Sequence, residues 1–146
     1  MKKIDEIDGV LLTPLKIIPV NKGNVFHAMK NSDPGFSGFA EAYFSLVNQG
    51  VIKGWKKHLE MTMNLVVIKG EIKFVAYDDR EGSITINSFG AISLSRNNYF
   101  RLTIPPKLWV SFQGLAEENV LLNLANLTHE PDESVNLDLN AIEGIW

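Results

Sequence analysis

The chain contains no cysteine among its 146 residues, which removes disulfides, thiolate catalysis and every cysteine-based zinc site at once. No apolar run approaches the roughly 20 residues that a bilayer-spanning helix needs. The opening Met1-Lys2-Lys3-Ile4-Asp5-Glu6 places acids where a signal peptide would carry its apolar stretch. A soluble, cytoplasmic protein is therefore expected. Excess positive charge is also missing: 14 Lys and Arg against 17 Asp and Glu leave a formal net charge of −3, and nothing electrostatic favours nucleic acid. There is no Walker loop, no Gly-x-Gly-x-x-Gly turn and no Gly-x-Ser-x-Gly elbow. Low-complexity stretches, repeats and linkers are absent, so residues 1–146 read as one domain.

Helical periodicity is nearly absent too. Residues 34–42 and the tail 132–146 are the only helical candidates, and both are poor ones. What the sequence has instead is frequent punctuation between short apolar alternations. Residues 41–47 lead through Asn48-Gln49-Gly50 into Val51-Ile52, and residues 64–68 close on Lys69-Gly70. Ile72, Phe74 and Ala76 then alternate with Lys73, Val75 and Tyr77. After an Asp78–Gly82 turn, Ile84 and Ile86 alternate with Ser83, Thr85 and Asn87, which predicts another strand. Further strands are expected around Ile92 and Leu94, around Leu102 and Ile104 up to Pro105-Pro106, and over residues 109–115 and 119–124. Eight to ten short strands of this kind predict an all-β sandwich or barrel.

Four stretches of residues 9–146 follow one another in a familiar order. Val51-Ile52-Lys53-Gly54-Trp55-Lys56 is similar to Val-Leu-Arg-Gly-Leu-His. Residues 69–80, Lys-Gly-Glu-Ile-Lys-Phe-Val-Ala-Tyr-Asp-Asp-Arg, are similar to Arg-Gly-Glu-Val…Val-Ala-Val-Asp-x-Arg. Residues 104–112 are similar to Ile-Pro-Pro-Gly-Phe-Ala-His-Gly-Phe, and residues 132–146 to a closing Glu-x-x-Ile-x-Trp stretch. Together they resemble the dTDP-4-dehydrorhamnose 3,5-epimerase family. The resemblance implies a cupin, a double-stranded β-helix or jelly-roll-like barrel. It also implies an isomerase or epimerase of a nucleoside-diphosphate 4-keto-deoxy sugar in cell-surface polysaccharide biosynthesis, with no cofactor. A homodimer is implied as well, in which residues 142–146 would be a packing element.

The same resemblance places Lys56 at the catalytic-base histidine, Val110 at a second histidine, Leu127 at the catalytic tyrosine and Asp138 at an acidic position. The region is also similar to the related 3,4-ketoisomerases, against which Lys53, Gly54 and His58 line up. A degenerate cupin that binds a sugar nucleotide without turnover, or a small-molecule sensor, stays open beside the enzyme.

Shifting or epimerising next to a ketone means removing a proton from the adjacent carbon, stabilising the enolate and returning the proton. His58 is the candidate base, since histidine titrates near neutrality. Alternation puts Lys56 and His58 on one face of a strand and Trp55 and Lys57 on the other, so Lys56 is the candidate to stabilise the enolate and Asp138 to orient a base. Lys53, Arg80 and Arg101 are candidate cations for the ligand, Arg80 also being suited to pairing with Asp78 or Asp79. Trp55, Phe74, Tyr77, Trp109 and Phe112 are expected in the core rather than as stacking platforms. His27 and His129 are expected to be structural or at the surface. No metal site is expected, because too few ligands sit at cupin spacing around His58.

Overall fold

The computed structural model describes residues Met1–Trp146. Its strands are β1 Lys2–Lys3, β2 Leu11–Pro14, β3 Ile17–Ile18, β4 Val25–Phe26, β5 Glu41–Leu46, β6 Ile52–His58 and β7 Met63–Lys69. They continue as β8 Glu71–Asp78, β9 Ser88–Ser95, β10 Phe100–Ile104, β11 Trp109–Gly114, β12 Val120–Ala125 and β13 Ser134–Asn136. Helix is limited to three 3-10 segments of three residues each, and none is long and apolar enough to cross a membrane. The strands form a six-stranded sheet, β1-β9-β8-β11-β6-β13, a five-stranded sheet, β2-β10-β7-β12-β5, and a separate β3-β4 ribbon. The all-β jelly roll is as expected, in the form of two facing sheets that do not close edge to edge into a barrel.

Period-two alternation decides what each strand sends between the sheets. Ile72, Phe74 and Ala76 of β8 meet Leu65 and Val67 of β7, Leu102 and Ile104 of β10, and Leu121 of β12 in one buried cluster. Ile4, Ile7 and Val10 close its end. Toward β5 and β6 the same inward register carries Tyr43, Ser45, Gly54, Lys56 and His58 instead. The interlayer space is thus a solid apolar core at one end and a polar-lined cavity at the other.

The outer face of the six-stranded sheet is covered by the chain's own C-terminus. Trp55, Val75 and Trp109 are buried there beneath Leu139, Ile142 and Ile145. Residues 142–146, expected between subunits, therefore pack at least partly within the chain. The tail is not helical, because β13 adds to the edge of β6, and Trp55 and Leu137 exchange backbone hydrogen bonds of 3.1 and 3.0 Å. Residues 34–42 form turns and extended chain.

The strand expected over Ile84 and Ile86 does not form either: Ile84 is 88% exposed. The alternation of Ser83 and Thr85 has another cause, for both hydroxyls turn onto buried Asp78, donating to Oδ2 at 2.6 and 2.7 Å. Arg80 completes the knot, with Nε 2.9 Å from Oδ1 and a terminal nitrogen 3.0 Å from Oδ2. Burial pushes the Asp78 carboxyl up, but the bonds from Arg80, Ser83 and Thr85 outweigh it and hold the group well below the ordinary carboxylate range.

Candidate active site

The cavity between the sheets has a volume of about 380 Å³, within the roughly 300–1,000 Å³ usual for small-molecule sites. One wall is β6 with β11, the other β5, β7 and β12. Lys53, Lys56 and His58 all line it. Strict alternation would send Lys53 to the opposite face from Lys56. The pairing of β6 with β11 slips between Val110 and Phe112, and this irregularity turns Lys53 inward. Gly54 makes it possible: its φ is +135°, and a Cβ there would lie 2.8 Å from the Ser111 Cα.

His58 is held by the C-terminal tail. Its Nδ1 lies 2.7 Å from Glu133 Oε1, and Oε2 of the same carboxyl accepts the Leu59, Glu60 and Met61 N–H groups at 3.0, 3.1 and 3.0 Å. The turn between β10 and β11 pins the backbone, with Lys107 N–H donating to the His58 carbonyl at 2.6 Å. Burial raises the Glu133 carboxyl, but the hydrogen bonds from His58, Met61 and Glu60 prevail and hold it below its ordinary value. It is a carboxylate at neutral pH. A carboxylate only accepts, so Nδ1 carries the proton in the neutral ring and Nε2, which makes no hydrogen bond within the protein, presents a lone pair. A base is thereby oriented and its tautomer set.

Lys53 Nζ donates to the Leu46 carbonyl at 2.9 Å, which brings its ammonium to the β5 side of the mouth. The Lys56 side chain makes no hydrogen bond or ion pair, while its backbone lies between β11 and β13. The cavity also takes in Asn123, Asn136 and His129. His129, expected to be structural or at the surface, is exposed at the rim, where the tail that supplies Glu133 carries it.

Three candidates lie away from this cavity. Asp138 is exposed and precedes the 3-10 turn Leu139–Ala141; the acid that reaches His58 is Glu133, five residues earlier. Arg80 is occupied by Asp78 and the Asp8 carbonyl. Arg101 is fully buried on the far side of the five-stranded sheet, where it fastens the Ala28 and Pro34 carbonyls and Asp33. Val110 lines the cavity and Leu127 an adjoining groove. Trp55, Phe74 and Trp109 are buried, Trp109 donating to Asp79 at 2.8 Å, whereas half-buried Phe112 reaches the cavity wall. No three His, Asp or Glu side chains converge as a metal site would require.

The family model described as dTDP-4-dehydrorhamnose 3,5-epimerase matches residues 5–144. The chain belongs to this family. A crystal structure of a dTDP sugar isomerase from Desulfovibrio desulfuricans G20 superposes with a TM-score of 0.89 at 35% identity, covering 92% of this chain and 87% of that one. The "Probable low-salt glycan biosynthesis epimerase Agl13" of Haloferax volcanii is 30% identical over 111 residues, 72% of this chain and 71% of that protein. ChmJ, a 3'-monoepimerase of Streptomyces bikiniensis solved in complex with dTDP-quinovose, shares the fold with a TM-score of 0.85 at 15% identity, over 95% of this chain and 74% of its own. Membership in this sugar-nucleotide epimerase and isomerase family gives the cavity its chemical context. Within this member, Lys56 and Val110 stand in the cavity where the resemblance expects histidines, and the β6 histidine, His58, is two residues further along.

Proposed function

We propose that the protein epimerises or isomerises a nucleoside-diphosphate 4-keto-6-deoxy sugar, in the cytoplasm, for the synthesis of cell-surface polysaccharide. His58 Nε2 takes the proton from the carbon next to the ketone. The electron pair of that C–H bond moves into the enolate, whose oxygen the Lys56 ammonium stabilises. Protonation of that carbon on its opposite face by water, with His58 releasing its own proton to solvent, completes an epimerisation; protonation of the former carbonyl carbon, with the proton of the adjacent hydroxyl passing to the enolate oxygen, completes an isomerisation. Lys53 supplies positive charge for the diphosphate. As a point charge it lacks the bidentate fork of arginine.

The observation that carries this reading is the Glu133–His58 pair at the cavity wall, an oriented base in a space of hexose size. Incubation with dTDP-4-keto-6-deoxyglucose in deuterated water tests it. Deuterium should enter at C3 or C5 and fail to enter with His58→Asn. Exchange that survives His58→Asn removes His58 as the base.

Lys56 and Val110 in the cavity favour a second reading, a binding protein without turnover. Tight binding with no exchange in the unaltered protein would establish it. We also propose a homodimer. Phe44 and Leu46, 68% and 67% exposed on the outer face of β5, together with exposed Phe39 leave apolar surface for a second copy. Light scattering should then give twice the 16.3 kDa of one chain.

A further inference from the structure

The wall opposite His58 carries a polar pair that the proton transfer leaves unused. Asn123 of β12 is in register with Tyr43 of β5, both line the cavity, and Asn123 Nδ2 donates to the Tyr43 hydroxyl at 2.7 Å. Asn123 is only 5% exposed, and its Oδ1 has no partner in the protein. A buried amide oxygen without a donor carries a desolvation penalty, and a small turn of the Asn123 side chain would bring it to the cavity surface, where a ligand donor relieves that penalty. Tyr43, having accepted from Asn123, still has its own proton to give. One acceptor and one donor therefore stand side by side. Turning the amide over exchanges the two roles and leaves the pattern intact.

We propose that Tyr43 and Asn123 form the specificity pair that reads the sugar ring, one holding the ketone oxygen and the other the hydroxyl on the adjacent carbon. This rests on reading the cavity as a keto-sugar nucleotide site, and deepens it. An α-hydroxy-ketone is the part of a 4-keto-6-deoxy sugar that offers an acceptor and a donor on neighbouring carbons. The methyl end and the ring oxygen offer no donor. Binding by this wall presents the ring to His58 from across the cavity, and the bond to the ketone strengthens as its oxygen gains enolate charge. A site built in this way rejects an analogue that lacks the hydroxyl, because Asn123 is then left unpaired.

The test is calorimetric binding of dTDP alone, dTDP-4-keto-6-deoxyglucose and its 3-deoxy analogue, in a His58→Asn background that stops turnover. The background protein should prefer the full sugar over the 3-deoxy analogue by about ten- to hundred-fold. Adding Tyr43→Phe or Asn123→Leu should bring that preference to within about threefold while dTDP alone binds unchanged. Half-exposed Tyr43 carries the test by itself if Asn123→Leu does not fold. Preference undiminished in Tyr43→Phe overturns the pair and leaves the function standing. Failure of the background protein to bind any of the three overturns the sugar-nucleotide reading, and the pair with it.

Discussion

Replacing Glu133 by glutamine separates the orienting role of the carboxylate from its bulk. The side chain is 8% exposed and holds four hydrogen bonds, one from His58 and three from consecutive N–H groups. Glutamine fits the same space but has one oxygen. If that oxygen stays with the three N–H groups, the amide NH₂ faces His58 Nδ1. The ring then accepts at Nδ1 and carries its proton on Nε2, the nitrogen that must be bare to act as a base. The Leu59 and Glu60 bonds lie at the solvent edge, where water can replace them, and the His58 and Met61 bonds are partly buried. Glu133→Gln should therefore cost only about 1–2 kcal/mol of stability, yet lower the exchange rate by about 10²–10⁴-fold through the wrong tautomer. Deuterium wash-in at C3 or C5 gives the rate, thermal melting the stability, and ¹⁵N chemical shifts of the ring report the tautomer. A folded Glu133→Gln protein that exchanges within about threefold of the unaltered one refutes the reasoning.

Other outcomes follow from the same contacts. Asp78→Asn, which weakens the bonds of Arg80, Ser83 and Thr85 together, should cost about 2–4 kcal/mol in denaturant unfolding without changing ligand affinity. Because the folded protein holds Asp78 below its unfolded value of about 3.9, this contribution is complete above that pH and is lost as pH falls below about 4. The unaltered chain should lose melting temperature steeply there, and Asp78→Asn much less so. Gly54→Ala places a methyl against Ser111 at a positive φ and should cost at least about 2 kcal/mol, with loss of ligand binding as β6 parts from β11. Lys53→Met should weaken dTDP binding by about three- to tenfold, a deficit that shrinks at high salt.

The period-two strands were legible because each buries one face. Ile72, Phe74 and Ala76 could be assigned inward from spacing alone, and the same rule brought Lys56 and His58 to the cavity together. It failed where local chemistry produces a similar pattern for another reason. Ser83 and Thr85 alternate because both serve Asp78, and the isoleucines between and after them are left at the surface. It failed again at Lys53, where one slip beside Gly54 reverses the face. Glu133 lay beyond the reach of spacing, being 75 positions from His58 in a tail whose one strand is the three-residue β13 paired with β6. The acid to look for was one that opens such a tail. Asn123 and His129 carry no sequence signal at all, since their role depends on which sheet faces which. Arg101 is a case where alternation held: beside inward Leu102 it faces outward, and there it is spent on holding residues 28–34.

A structure of the protein with an unreactive dTDP-hexose analogue measures the central quantity, the distance from His58 Nε2 to the ring carbon beside C4. A hexose inside the cavity with that carbon about 3–3.5 Å from Nε2 is the predicted result. A sugar lodged outside the space between the sheets, or a ring turned so that this carbon stays beyond about 6 Å while Glu133 still holds His58, contradicts it.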